Sequence, residues 1–218
     1  MPRKRFDEQL KELNQEMIKM GTLCEESIKK SSDAALNGDM DLADELPELA
    51  DHMNMKDKEI ESICMKLLLQ QQPVAGDLRY VSSALKIVTD MKRIVIQSAD
   101  IADIVKAGTI DSIPEEVPLA EMASSVIHMV SSVLDAFVRR DAITARDVIH
   151  SDDEVDRLFD DVKSRLIEGI KTIEDSGSQG AKILDILMIS KYMERIGDHA
   201  VNIAGWVCYS VTGTREVS

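Results

Sequence analysis

Apolar residues recur at i, i+3, i+4 and i+7 through most of the chain, and little interrupts them. Only five prolines and ten glycines occur in 218 residues, and most lie where the pattern breaks. A spacing near 3.6 gathers side chains on one side of a helix, whereas a strand needs strict alternation. Aromatic residues are 3% of the chain, without the aromatic and β-branched surplus of a β-sandwich or barrel. The chain is therefore predicted to be all-α.

The first stripe runs through Leu10, Leu13, Met17, Met20, Leu23, Cys24, Ile28, Ala34 and Ala35 and stops at Asn37-Gly38, a helix C-terminal signal. Asp39 can cap a second helix that carries Leu42, Leu46, Leu49, Met53, Ile60, Ile63, Cys64 and Leu67 and ends before Pro73. Pro47 should bend its first turns. A third stripe covers 77–107 and is ended by Gly108; 109–118, with Pro114 and Pro118, reads as a linker. The same grammar then recurs, with helices predicted over 119–138, 142–172 and 181–207 and a Ser/Gly-rich break at 176–180.

Self-comparison turns this recurrence into a duplication. Sliding the chain by 102 residues (122 − 20) lays Met20 on Met122, Asp39 on Asp141, Ile87 on Ile189, Met91 on Met193, Arg93 on Arg195 and Ile101 on Ile203. Between these blocks, Asp57 and Glu61 align with Asp152 and Asp156 at a shift of 95 (152 − 57). The difference of seven (102 − 95) is about two helical turns, absorbed by a helix extension in the first half and a longer loop in the second. The expected fold is two tandem antiparallel three-helix bundles, six helices in all, over 1–108 and 119–218.

Charge removes whole classes of function. With 40 Asp and Glu against 26 Lys and Arg the formal charge is −14, a poor match to a phosphate backbone, so nucleic acid is excluded as a partner. No uncharged apolar run reaches about 18 residues and the N-terminus lacks a signal core, so a cytoplasmic protein without membrane insertion is expected. Cys24, Cys64 and Cys208 are few, distant and set in apolar stripes, which reads as buried packing.

Candidate chemistry lies in carboxylate rows. Glu194, Asp198 and Asn202 stand at i, i+4 and i+8 on the last helix, and Asp152, Asp156 and Asp160 repeat the spacing on the helix before it. Side by side, such faces can aim several oxygens at one point, which suits Mg²⁺, Ca²⁺, Mn²⁺ or iron. A chain with 40 carboxylates also produces such rows as a plain solvated face. Both readings stand on spacing alone.

Several phrases resemble one family. Pro73-Val74-Ala75-Gly76-Asp77-Leu78-Arg79, the stretch from Leu85 to Arg93, and Glu194-Arg195-Ile196-Gly197-Asp198 running on to Ala204 look like the PhoU family of phosphate-signalling proteins, and the likeness extends from about residue 10 to 207. The resemblance implies two three-helix bundles and a cytoplasmic negative regulator that links the ATPase of a phosphate ABC transporter to a sensor histidine kinase. It further implies an acidic metal motif in each bundle, with iron, zinc, manganese or magnesium as the ion; a homodimer is expected separately, since no residue pattern fixes the oligomer.

Asp152, Asp156, Glu194 and Asp198 match that motif, with Asp160, Asn202, Asp57, Glu61 and Asp100 as secondary candidates. In the first bundle Lys92 and Ile96 replace the two carboxylates of the later helix. Lys92 would repel a metal and pair with Asp57 or Glu61, so one competent site at most is expected, in the second bundle. Arg93 and Arg195 flank the motifs, and Asp77 and Arg79 open the third helix; all four are candidates for partner contacts, against the plainer reading of ion pairs and helix capping.

Rival readings are an adaptor for another phosphate or ion transporter and a carboxylate-bridged di-metal enzyme. The enzyme needs a Glu-x-x-His pair on each of two helices, and none is present. No hydrolase nucleophile motif and no phosphate-cradling glycine loop occurs either. The expectation is a non-catalytic protein.

Overall fold

α1 (Pro2–Asn37) buries the predicted stripe through Leu13, Met17, Met20, Cys24 and Ile28. It is part of a computed structural model that describes residues 2–70, 74–171 and 177–216. The helix stops because Gly38 takes φ +64, and a Cβ there would overlap the backbone carbonyl of Asp111. Left-handed backbone and close approach both demand glycine. Gly38→Ala should therefore cost about 1–2 kcal/mol, read as a lower urea midpoint with an unchanged slope; an unchanged midpoint would refute the assignment.

Asp39 caps as predicted, its carboxylate accepting from the Leu42 N–H at 3.1 Å, but the helix it starts is short. α2 (Met40–Asp44) ends at once, and α3 (Leu46–Gln70) begins after the single residue Glu45. Pro47 is the cause: it has no N–H to give Ala43, and its ring would strike that carbonyl if the helix ran on. The extra residues of the first half thus enter as a separate turn of helix and a break, not as an extension. α3 ends at Gln70, and the predicted stop at Pro73 lies outside the described residues.

α4 (Ala75–Lys106) is closed by Gly108 at φ +76. α5 (Leu119–Arg139) and α6 (Ala142–Ile170) follow, α6 capped by Asp141, which accepts from the N–H groups of Ile143 and Thr144. The final helix differs from expectation at both ends. α7 (Ser178–Thr212) already includes Gln179 and Gly180, since a first turn tolerates residues with unpaired N–H groups. It continues past Val207 because Cys208 and Ser210 still face the core, and it stops at Gly213, φ +84. Of the predicted break, Ser176 lies outside the described residues.

The chain is all-α, with six long helices, the short α2 and no strand among the described residues. α1, α3 and α4 form one three-helix unit and α5, α6 and α7 the other, and α4 lies along α7 while α1 lies along α5. One hydrophobic cluster therefore runs through both units. Tyr80 of α4 stacks on Phe137 of α5 with ring centroids 4.6 Å apart, and Ser131 of α5 donates to Glu25 of α1 at 2.5 Å. The connector is pinned as well. Ile110, Ile113 and Val117 are buried, the Ile113 N–H donates to the Leu36 carbonyl at 3.2 Å, and Asp111 pairs with Lys182 of α7.

By length and composition α5 would suffice to cross a membrane. Half of its apolar window is buried here, with Met122, Val126, Met129, Val130 and Val133 facing the core. All three cysteines are buried and free. Burial pushes the Cys64 thiol up to about 12, with Glu61 adding to the shift, so it packs as a small apolar side chain.

Candidate functional site

The two predicted acidic rows meet where α6 lies against α7. Gly197 makes the approach close: a Cβ on it would stand 3.1 Å from Asp152 Oδ1 and 3.4 Å from Val155. Asp152 is half-buried there. Burial, then the charges of Asp156, Asp198 and Glu194 in that order, push its carboxyl up to about 6. The four motif residues thus form one electrostatic group. Asp156 and Asp198 are exposed, while Glu194 is mostly buried, with Oε2 2.5 Å from Lys191 Nζ. The angle of that ion pair is poor, for the same oxygen has no hydrogen-bond donor.

Their charge fits a hard cation better than their present positions do. All the donors are carboxylate oxygens, as Mg²⁺, Mn²⁺ or oxygen-ligated iron prefers. Among the described residues, however, no three Asp, Glu, His or Cys side chains are already drawn together tightly enough to hold a metal. Convergence requires Glu194 to leave Lys191 and the exposed Asp156 and Asp198 to turn inward.

Three of the five secondary candidates are engaged elsewhere. Asp160 is exposed and paired with Lys163 at 2.5 Å, and Asn202 Oδ1 accepts from Arg215 Nη2 at 3.2 Å. In the first unit Lys92 Nζ sits 2.6 Å from Asp57 Oδ2, one of the two pairings expected of it. Glu61 is exposed, as is Ile96, so the carboxylate row ends there. A 530 Å³ cleft beside this pair is lined by Asp51, Asn54, Met55, Asp57, Lys58 and Lys92. It is a mixed-charge surface with its own ammonium already in place.

The candidates for partner contacts divide. Asp77 is buried at the start of α4, as suits a residue of the first turn. Arg79 is partly buried beside Gly213, its Nε without an acceptor. Arg93 is exposed. Arg195 reaches across to α4, where its charge offsets the upward push that burial and Asp103 give the Asp100 carboxyl.

Sequence reading missed a bond between the two units, His199 Nδ1 to Asp90 Oδ1 at 2.9 Å. It also missed the segment after α7, whose Arg215 and Glu216 fold back onto α7 and α6. No spacing signal links such residues, since the first pair is 109 positions apart. His199 joins Arg195, Asp198, Val201 and Asn202 around a 310 Å³ cleft beside the acidic row. A larger cleft of 660 Å³, lined by Val117, Leu166, Ile183 and Ile186 among others, opens at the far end of α6 and the start of α7, away from the carboxylates.

Fold and site together define a class: a duplicated three-helix unit with one intact carboxylate row and one neutralised by a lysine. The model of the PhoU domain family matches residues 17–105 and again 119–207, two stretches with the same offset of 102 (119 − 17) that self-comparison found. The chain belongs to the PhoU family. It is 32% identical over 215 residues to the phosphate-specific transport system accessory protein PhoU homolog of Clostridium acetobutylicum, covering 98% of this chain and 97% of that one. The homolog from Pseudomonas aeruginosa is 32% identical, covering 96% and 86%.

Two solved structures share the whole fold. The crystal structure of PhoU from Pseudomonas aeruginosa superposes with a TM-score of 0.86 at 32% identity, over 96% of this chain and all of that one. The phosphate transport system regulatory protein PhoU from Streptococcus pneumoniae gives 0.87 at 26% identity, over 98% and 100%.

Proposed function

We propose that this protein is a cytoplasmic negative regulator of phosphate uptake and of the phosphate-starvation response, acting without catalysis as an adaptor between a phosphate ABC transporter ATPase and a sensor histidine kinase. The observation that carries this reading is kinship along both halves with proteins named as accessory to the phosphate-specific transport system. The exposed carboxylates of Asp156 and Asp198 offer charge for docking. Affinity purification from phosphate-replete cells should recover the transporter ATPase and the kinase, and recovery of neither would sink the adaptor reading.

A second reading concerns the acidic row. Asp152, Asp156, Glu194 and Asp198 would hold a hard divalent cation, which would cancel the mutual repulsion that raises Asp152 and draw α6 and α7 together at Gly197. Lys92 supplies positive charge at the corresponding place in the first unit, so one cation per chain is expected. Elemental analysis of protein purified without chelator tests the stoichiometry, and metal retained by the Glu194→Gln/Asp198→Asn double variant would refute the site.

A further inference from the structure

α7 ends at Gly213, φ +84, and the chain doubles back along the helix it has just left. Thr212 holds the reversal: its hydroxyl accepts from the Thr214 N–H at 3.1 Å and lies 3.2 Å from the Thr214 carbonyl. The Arg215 guanidinium then covers the Trp206 ring, 4.4 Å from its centroid, and donates to Asn202 Oδ1. The Glu216 carboxylate accepts from Arg146 of α6, through Nε at 2.7 Å and Nη2 at 2.7 Å. Beneath the segment lies Gly205, buried about two turns before the end of α7. A Cβ there would overlap the Glu216 carbonyl oxygen and come within 3.5 Å of Arg215 Nε.

Glycine in a helix interior costs about 1 kcal/mol relative to alanine, so Gly205 needs a reason, and the overlying backbone supplies one. The contacts are those of a bound peptide: main chain laid on a glycine, a cation on an aromatic face, a carboxylate gripped by a fork. What holds the segment nevertheless lies at the surface. Thr214 and Arg215 are exposed, and the Arg146 and Glu216 side chains are 40% and 35% exposed, open to competition from water, salt and another carboxylate. The seat is shaped while its occupant is held by contacts that a second peptide can reach.

We propose that residues 213–216 are a displaceable strap on a peptide-docking seat formed by Arg146, Asn202, Gly205 and Trp206, and that an extended segment of a partner protein, carrying an arginine followed by an acidic residue, takes the strap's place. Tethering gives the strap an effective concentration on the order of millimolar, so only a partner with contacts beyond the seat displaces it. This does not depend on the transporter and kinase assignment, since it would hold for an adaptor of any client.

Trp206 is the chain's single tryptophan and reports on the strap directly. Gly205→Ala should keep or raise the melting temperature, because it improves the helix, yet quenching of Trp206 by iodide should rise about twofold as the guanidinium leaves the ring. In a second arm, the full-length Arg215→Ala/Glu216→Gln variant has an open seat. A synthetic peptide of residues 211–216 should bind it about tenfold tighter than it binds the unaltered chain, whose own strap competes. Unchanged quenching in a folded Gly205→Ala protein overturns the proposal. So does a peptide that binds the double variant no tighter than the unaltered chain.

Discussion

Saturation with a hard divalent cation at pH 7.5 is expected to raise the melting temperature by roughly 5–10 °C, from about 2.7 kcal/mol of binding linkage at 100-fold excess over Kd and about 2–4 °C per kcal/mol in a chain of this size. The driving term is the strain visible in Asp152. Its folded value of about 6 stands above the ordinary 3.8, so between those values the native chain holds more proton than the unfolded one. Its contribution to stability is present below about pH 4 and lost as pH rises through about 6.

At pH 7.5 that carboxylate is ionised and destabilising. The full shift corresponds to about 3 kcal/mol, and solvent screening of a half-exposed group reduces this to about 1–2 kcal/mol. Asp152→Asn should therefore stabilise the cation-free protein by that amount and flatten its stability between pH 4 and 6. It should also weaken the response to cation, and Glu194→Gln/Asp198→Asn should abolish it. Calorimetric scans with and without cation decide the matter; an equal shift in the double variant would show that the ion binds elsewhere.

The second large effect is structural. Tyr80→Ala should cost about 3–5 kcal/mol and lower the melting temperature by roughly 6–20 °C. The side chain is 1% exposed, its ring lies parallel to that of Phe137 within 2°, and the Arg140 guanidinium sits 4.2 Å from its centroid. Its hydroxyl donates to Asn14 at 2.6 Å, so one residue ties α1, α4 and α5 together across both units. Burial raises the phenol to about 12. Tyr80→Phe isolates the hydroxyl and should cost about 1 kcal/mol. Equal losses in the two variants would mean that the ring's packing matters little.

Much of this was legible beforehand, for identifiable reasons. Gly38 and Gly108 act through their own backbone and Asp39 through a carboxylate that reaches only three residues on, so helix ends could be read within a few residues. That Lys92 would meet Asp57 or Glu61 was legible, because one copy shows what the other has lost; that it takes Asp57 was decided by the packing of α3 on α4. The break between α2 and α3 was visible only as Pro47, which marks the place but not the short separate helix that precedes it. The candidate site was half legible. Spacing put Glu194 with Asp198 and Asp152 with Asp156, but not the capture of Asn202 by Arg215, of Asp160 by Lys163 or of Glu194 by Lys191.

By itself the sequence determined the helices, their faces, the repeat and the family, since helical period, capping and left-handed glycines are properties of a few neighbouring residues. Tertiary structure alone decided that the two units share one core, that Asp90 meets His199, that Asp198 and Glu194 of α7 bear on Asp152 of α6, and that 213–216 lies on Gly205. Those outcomes depend on the rotation and axial offset of one helix against another. Packing of the whole interior sets both quantities, and no local pattern encodes them.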